Sequence, residues 1–380
     1  MNHLSIYLGK FIIAFYTSIL NPLLPCLVHK MQLSLTLAAS LVSIFSLMNS
    51  FAQPVMGWFE DKLGHTLFLR YSPLWVGIII GLIGLAPNYK MLILILSLAS
   101  LGICAFHPAS YIQIAQTGSR ERSGKISFLL AFTTAGFVLG PIVISSYVSL
   151  LGLNNLYLIF IPGLLVTLYL IKDTSANKRA AKLKKEKGQN KDKLNIIKLL
   201  PVIGLAFCIS SVSMGFFTLL PLFLQEKGSQ IISIGLYLTC FSCGCALGPF
   251  SGGPLKKRIG LSSIVPLSFF LSLFLILTFL SVANSVFSLL HIFCLGFFIM
   301  SPYAILIQMA QERAPEHVGT ASALVGGFVW GSGGILVAGM GKVAEFIGIG
   351  NVLSALAIFP LLGLTAFLLG LIFNKKGAGP

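Results

Sequence analysis

Apolar residues come along this chain in long unbroken runs, separated mostly by short polar turns. Twelve runs, roughly 4–27, 36–58, 69–86, 91–114, 126–149, 154–171, 197–223, 231–252, 262–283, 286–308, 319–341 and 352–373, are each close to or beyond the ~20 residues that span a bilayer as a helix. The pattern predicts an all-α integral membrane protein with twelve transmembrane helices. The first run has no small-residue cleavage site followed by a soluble domain. It reads as a retained helix and not as a signal peptide.

Composition agrees. The 380 residues are 56% hydrophobic and only 9% charged, with a mean hydropathy of +0.93, where a soluble domain carries about 25% charged residues. The formal net charge of +16 would suggest nucleic acid in a soluble chain, but its placement gives a different reason. With the N-terminus in the cytoplasm, twenty-one of the 26 Lys and Arg fall on the cytoplasmic side. Only Lys30, Lys90, Lys227 and Lys342 fall outside, and Lys10 lies within the first helix. That asymmetry is the rule that orients multispanning proteins. Both termini are therefore expected in the cytoplasm, with the lipid bilayer and not a nucleic acid as the partner.

The single long polar run, 172–195, is rich in lysine and reads as a flexible cytoplasmic connector. It divides six runs from six, so the expected organisation is a half at 1–171, a linker at 172–196 and a half at 197–380. The halves repeat each other. "GWFEDKLG" at 57–64 and "GPLKKRIG" at 253–260 align at one offset, Gly57 with Gly253 and Gly64 with Gly260. "LGICAFHPASYIQIAQ" at 101–116 matches "LGFFIMSPYAILIQMAQ" at 295–311, Pro108 with Pro302. Six spans duplicated in the same orientation are the architecture of transporters with two parallel halves, which hold a small-molecule substrate near the midplane. The seven cysteines all fall in expected spans and none needs a disulfide. "CFSCGCALG" at 240–248 looks superficially like a metal site. On a helix, however, Cys245 points away from the face shared by Cys240 and Cys243, so no metal site is expected there. No cofactor is implied. Nor is there a spaced set of acids or a nucleophile beside a base, so no enzyme is expected.

Two motifs carry candidate chemistry. His107–Pro108 places an ionisable side chain and a helix-breaking residue mid-span. Buried ionisable groups in spans usually face a cavity, histidine changes protonation near neutral pH, and proline leaves the Cys104 carbonyl one turn earlier without its usual donor. The alternative is a neutral histidine bonded to a neighbouring helix, and for His291, nearer a helix end, that structural duty is expected. Tyr111, Gln53 from the second helix and Lys10 complete the candidate substrate or proton site. In "AGFVLGPIV" at 135–143, Gly136 and Gly140 share one face and permit close helix approach, and Pro141 should kink the helix. "GGFVWGSGG" at 326–334 is a comparable bendable segment.

The 57–64 segment, expected as a loop reversed at its glycines with Asp61 near the next helix start and paired with Lys62 and Arg70, resembles the signature loop of the major facilitator superfamily. In that family the loop helps control switching between inward- and outward-open states. The resemblance thus implies a gating role for Gly57, Asp61, Lys62, Gly64 and Arg70, and for Gly253, Lys257, Arg258 and Gly260 in the second half. "SFAQPVMGWFEDKLG" (50–64), "AFHPASYIQIA" (105–115), "TLLPLFLQEKG" (218–228) and "SGGPLKKRIG" (251–260) together resemble the fosmidomycin resistance protein group. That resemblance implies an inner-membrane exporter of small, often anionic or antibiotic-like molecules, driven by proton antiport; for the two-half architecture a monomer is the default expectation. The chain departs from the group in three ways. Its first helix offers Lys10, near enough to one face to snorkel, where the group has an aspartate. Lys257 stands where an acid is usual. None of its ten acidic residues lies mid-membrane. An uncoupled or exchange carrier of an anionic metabolite, with Lys10 as its charge, is the open alternative; a non-transporting receptor or scaffold is a more distant one.

Overall fold

The computed structural model describes residues 4–63, 65–115, 119–173, 196–283, 285 and 287–376. Among them there is no strand. Twelve helices are long and apolar enough to cross a membrane: α1 Leu4–Met31, α2 Leu35–Gln53, α3 Thr66–Leu85, α4 Tyr89–Ile114, α5 Gly124–Leu151, α6 Leu153–Lys172, α7 Leu200–Glu226, α8 Ile231–Ser251, α9 Ser263–Val282, α10 Ser288–Arg313, α11 Thr320–Ile347 and α12 Ile349–Gly370. Helix is the economical answer for such runs, because it closes each backbone N–H and C=O within its own segment where no water is available. One expectation is corrected. The helix of α2 runs on to Leu63 and that of α8 to Ile259, so 57–63 and 253–259 are final helical turns and not loop. The i→i−4 bonds simply continue beyond the apolar window. The reversal after α8 falls at Gly260, whose φ of 76° lies in the region that glycine adopts freely.

The chain forms two compact units, one built on α1–α6 with Ser229–Gly235, the other on α7–α12 with Ser34–Ser40. In the first unit α1 is the hub. A Cβ at Gly136 of α5 would fall on the Phe11 carbonyl, and one at Gly140 on the Ser18 hydroxyl and the Phe15 carbonyl. The two glycines, one turn apart, are what let α5 lie directly against the backbone of α1. Pro141 lies inside a helix that continues to Leu151, and its carbonyl meets Gly235. On its other side α1 is pinned by Tyr16, which is fully buried. The Tyr16 hydroxyl donates to the Ile159 carbonyl at 2.8 Å and accepts from the Gly163 N–H at 2.9 Å. Gly77 of α3 and Gly163 of α6 make room for this hydroxyl. At the end of α1, Lys30 donates to the Gly84 carbonyl and, at 3.0 Å, to Asn154.

In the second unit Gly244 and Gly248 of α8 back onto the Phe293 and Phe297 carbonyls of α10, and Gly296 backs onto the Phe241 carbonyl. This accounts for the small-residue run at 240–248: it is a helix-packing face. His291 bonds the Leu275 carbonyl of α9 at 2.7 Å, the structural duty expected of it. α10 is broken at Ser301–Pro302, between Ser288–Met300 and Tyr303–Arg313. α11 contains a π-helical turn at Leu324–Phe328, within the glycine-rich segment expected to bend. The two irregularities meet: the Tyr303 hydroxyl donates to the Val325 carbonyl at 3.3 Å and accepts from Trp330 Nε1 at 2.7 Å. Also in this unit, Glu345 accepts the Thr36 N–H at 2.8 Å.

Two outcomes follow from this packing. Gly136→Val should lower thermal stability in detergent by about 1–3 kcal/mol through overpacking, whereas Gly339→Ala, with nothing near its Cβ, should leave the melting temperature unchanged or slightly raised. Tyr16→Phe should cost about 1–3 kcal/mol, because it orphans a buried N–H and a buried C=O; fluorescence-monitored melting measures each.

Candidate functional site

α4 carries His107, Ser110 and Tyr111 at spacings of three and four residues, so all three stand on one face of the helix. Opposite them lies Lys10 of α1. Its side chain is 1% exposed, and its Nζ sits 2.5 Å from His107 Nδ1, 3.3 Å from Ser110 Oγ and 4.7 Å from the centre of the Tyr111 ring. The amine therefore has a ring nitrogen, a hydroxyl lone pair and an aromatic face around it. All three are groups that accept positive charge. With Lys10 as donor, Nδ1 is the acceptor and the imidazole proton is assigned to Nε2. Ser110 in turn donates to the His107 carbonyl at 2.7 Å, which aims its lone pairs at Lys10.

Why these side chains meet is a matter of local packing. Phe106, fully buried, lays its ring over Gly9, so the residue before Lys10 and the residue before His107 form the contact that brings the two polar groups together. Pro108 is half-buried in a helix that runs without interruption from Tyr89 to Ala115. Behind it the Cys104 thiol donates to the Asn49 carbonyl of α2 at 3.1 Å.

Sequence reasoning placed His107, Tyr111 and Lys10 in the site, and the structure brings these three together. It corrects one expectation. Lys10 does not snorkel to a membrane face: its amine turns into the unit, where Ser110 and His107 satisfy it. Gln53 is exposed on the helix of α2 and takes no part in these contacts. Arg70 is half-buried on α3. The side chains of Gly57, Asp61, Lys62, Gly253, Lys257 and Arg258, together with Gly64 and residues 174–195, lie outside the described residues, while Gly260 provides the positive-φ reversal noted above. Sequence reasoning missed Ser110, Gly9 and Phe106. Ser110 had a signal, since it follows His107 by one turn in "HPASY". Gly9 and Phe106 had none, because a glycine and a phenylalanine in apolar helices carry no mark of being neighbours.

Comparison with known proteins places the fold. The description of the Major Facilitator Superfamily matches residues 6–338. The chain belongs to the Major Facilitator Superfamily. Among its relatives, the fosmidomycin resistance protein of Escherichia coli (strain K12) is 27% identical over 363 residues, covering 92% of this chain and 88% of that protein. An uncharacterized MFS-type transporter, YfnC, of Bacillus subtilis (strain 168) is 25% identical over 93% of this chain and 88% of its own. Among solved structures, a bacterial homolog of the human lysosomal transporter Spinster superposes with a TM-score of 0.75 at 13% identity, over 96% of this chain and 95% of that one. The nucleoside transporter NupG (D323A mutant) gives the same score and identity over 96% and 98%. These two likenesses establish the shared fold. As a member of the superfamily the chain is a transporter of small solutes in a membrane.

Ser110→Ala removes one acceptor from a buried amine and one donor from the His107 carbonyl. It should lower thermal stability by about 1–3 kcal/mol. Gly9→Val should do the same by displacing the Phe106 ring, and melting curves of the two variants in one detergent test both.

Proposed function

We propose that this transporter exports a small anionic organic solute by alternating access, with Lys10 and His107 as its anchor. The observation that carries the reading is the Lys10 amine. It is held inside an apolar helix bundle by acceptors alone, and all ten acidic residues of the chain lie at span ends or in the connecting segments. A buried cation is expensive and is kept where function uses it. A solute carboxylate or phosphonate would supply the counter-charge that the sequence omits, with Ser110 and Tyr111 shaping its seat. Pro108 would adjust the helix beside it.

Outward transport is supported by the relatives' names: the Escherichia coli protein is named for resistance to fosmidomycin, and a multidrug resistance protein, MdtG, is 32% identical over 44% of this chain. The placement of the basic residues supports an inner-membrane protein with both termini in the cytoplasm. The architecture is read as monomeric. A second reading, proton antiport through His107, rests on the resemblance to proton-driven exporters; in it the imidazole exchanges its proton for the solute. The conformational gate belongs by resemblance to 57–64, Arg70 and 253–260, and the bending elements to Gly136, Gly140 and Pro141.

Lys10→Met and His107→Ala, each expressed at the wild-type level, should reduce fosmidomycin efflux from loaded proteoliposomes at least tenfold. Efflux unchanged in both variants removes the pair from the mechanism.

A further inference from the structure

We infer that export by this chain is driven by the membrane potential acting on the anion, with no proton exchanged; the inference rests on the Lys10–His107 reading above. The Ser110 hydroxyl, whose own proton goes to the His107 carbonyl, and the Tyr111 ring face both suit an ammonium at Lys10 Nζ, and His107 Nδ1 completes its acceptors in the tautomer assigned above. His107 cannot take a second proton on Nδ1 while that bond stands, because two donors would then face each other across 2.5 Å. The other titratable groups about the site have duties elsewhere or hold their protons near neutral pH in water. Tyr111 presents its ring to Lys10, and Tyr7 of α1 stacks on Phe128 and Phe132 of α5. Tyr16 is bonded to α6, and the Cys104 thiol to α2. Asp173, at the end of α6, accepts from Ser5 at 2.8 Å. Arg70 on α3 and Lys125 on α5 are fixed cations of the same sign as Lys10. Among the described residues no other carboxylate is placed at the site to carry a proton across.

The charge balance of one cycle then follows. The loaded site is neutral, an ammonium with a bound monoanion, and the returning empty site carries its own positive charge. The protein's charges travel out and back, so the net movement is one negative charge outward. A potential negative inside favours that step by about 2.3 kcal/mol per 100 mV, which sustains about a fiftyfold concentration ratio. An exporter of anions therefore needs no proton gradient, and the absence of mid-membrane acids loses its oddity.

Proteoliposomes preloaded with fosmidomycin, a phosphonate that is anionic at neutral pH, separate the two driving forces. Valinomycin with a potassium gradient sets the potential while buffers clamp pH. Equal potassium with a pH step sets the converse. Because the driving force does not depend on which way the protein inserted, mixed orientation does not blur the result. Expected is efflux at least tenfold faster with the interior negative than at zero potential, slowed when the potential is reversed, indifferent to the pH step and lost in Lys10→Met. Lys10-dependent efflux that follows the pH step at zero potential overturns this inference and leaves the anchor standing. Efflux that Lys10→Met does not change, or none from the wild type, overturns the anchor and this inference together.

Discussion

A lysine amine sealed inside an apolar bundle has to find every one of its partners within the protein, and the first unit is arranged around that demand. Lys10 is satisfied only because α4 lies close enough to α1 for His107 and Ser110 to reach it. The spacing depends on Gly9 beneath the Phe106 ring. α1 in turn is held by the glycine face of α5 and by the Tyr16 hydroxyl between α3 and α6. In a bilayer the hydrophobic effect does not favour helix against helix over helix against lipid, so small residues and buried hydrogen bonds decide which helices touch. Here both act on the same helix.

The second unit repeats the helices without repeating the chemistry. Where the first half has His107 before Pro108, the second has Ser301 before Pro302, and Ser301 shares a hydrogen bond with Ser251 at 2.6 Å. Among the described residues no lysine answers it. The duplication preserved the proline, which breaks α10 at this level while α4 runs through. The difference is reinforced by the neighbouring span. A π-helical turn in α11 displaces the Val325 carbonyl from the ordinary ladder, and the Tyr303 hydroxyl at the break accepts the task of pairing with it. π turns recur at functional sites, and this one sits among glycines that leave its surroundings open. The buried lysine thus lies in the first unit, and the paired break of α10 and π turn of α11 in the second.

That division matters for how such a carrier spends energy. A carboxylate within a span can alternate between charged and neutral and so ferry protons. A lysine that keeps its proton is a fixed charge, suited to complementing an anion and not to ferrying a proton. The chain's departures from the exporter group it resembles, a lysine for an aspartate and no acid in any mid-span, are consistent with one another when the cargo itself carries the charge that the membrane field acts upon.

Hydropathy alone determined the twelve helices and where each begins to within about three residues, because the cost of unpaired backbone in hydrocarbon leaves a long apolar run no other structure; the ends of four spans it misplaced by more. The repeat, visible in Pro108 and Pro302 and in the paired glycines of 57–64 and 253–260, determined the six-plus-six plan. Gly136 and Gly140 were legible as a packing face, since their spacing is that of one helical turn. Sequence could not say which helix that face would meet, nor that Gly9 would admit Phe106, nor that Lys10 would turn inward to His107 instead of outward to a membrane surface. It also took 57–63 for loop, because glycines and charges read as a turn even where the helix simply continues beyond the membrane. In spans that are apolar on every side, no polar stripe marks an inner face, so facing and neighbourhood are decided by contacts between residues distant in sequence, and those exist only in the folded chain.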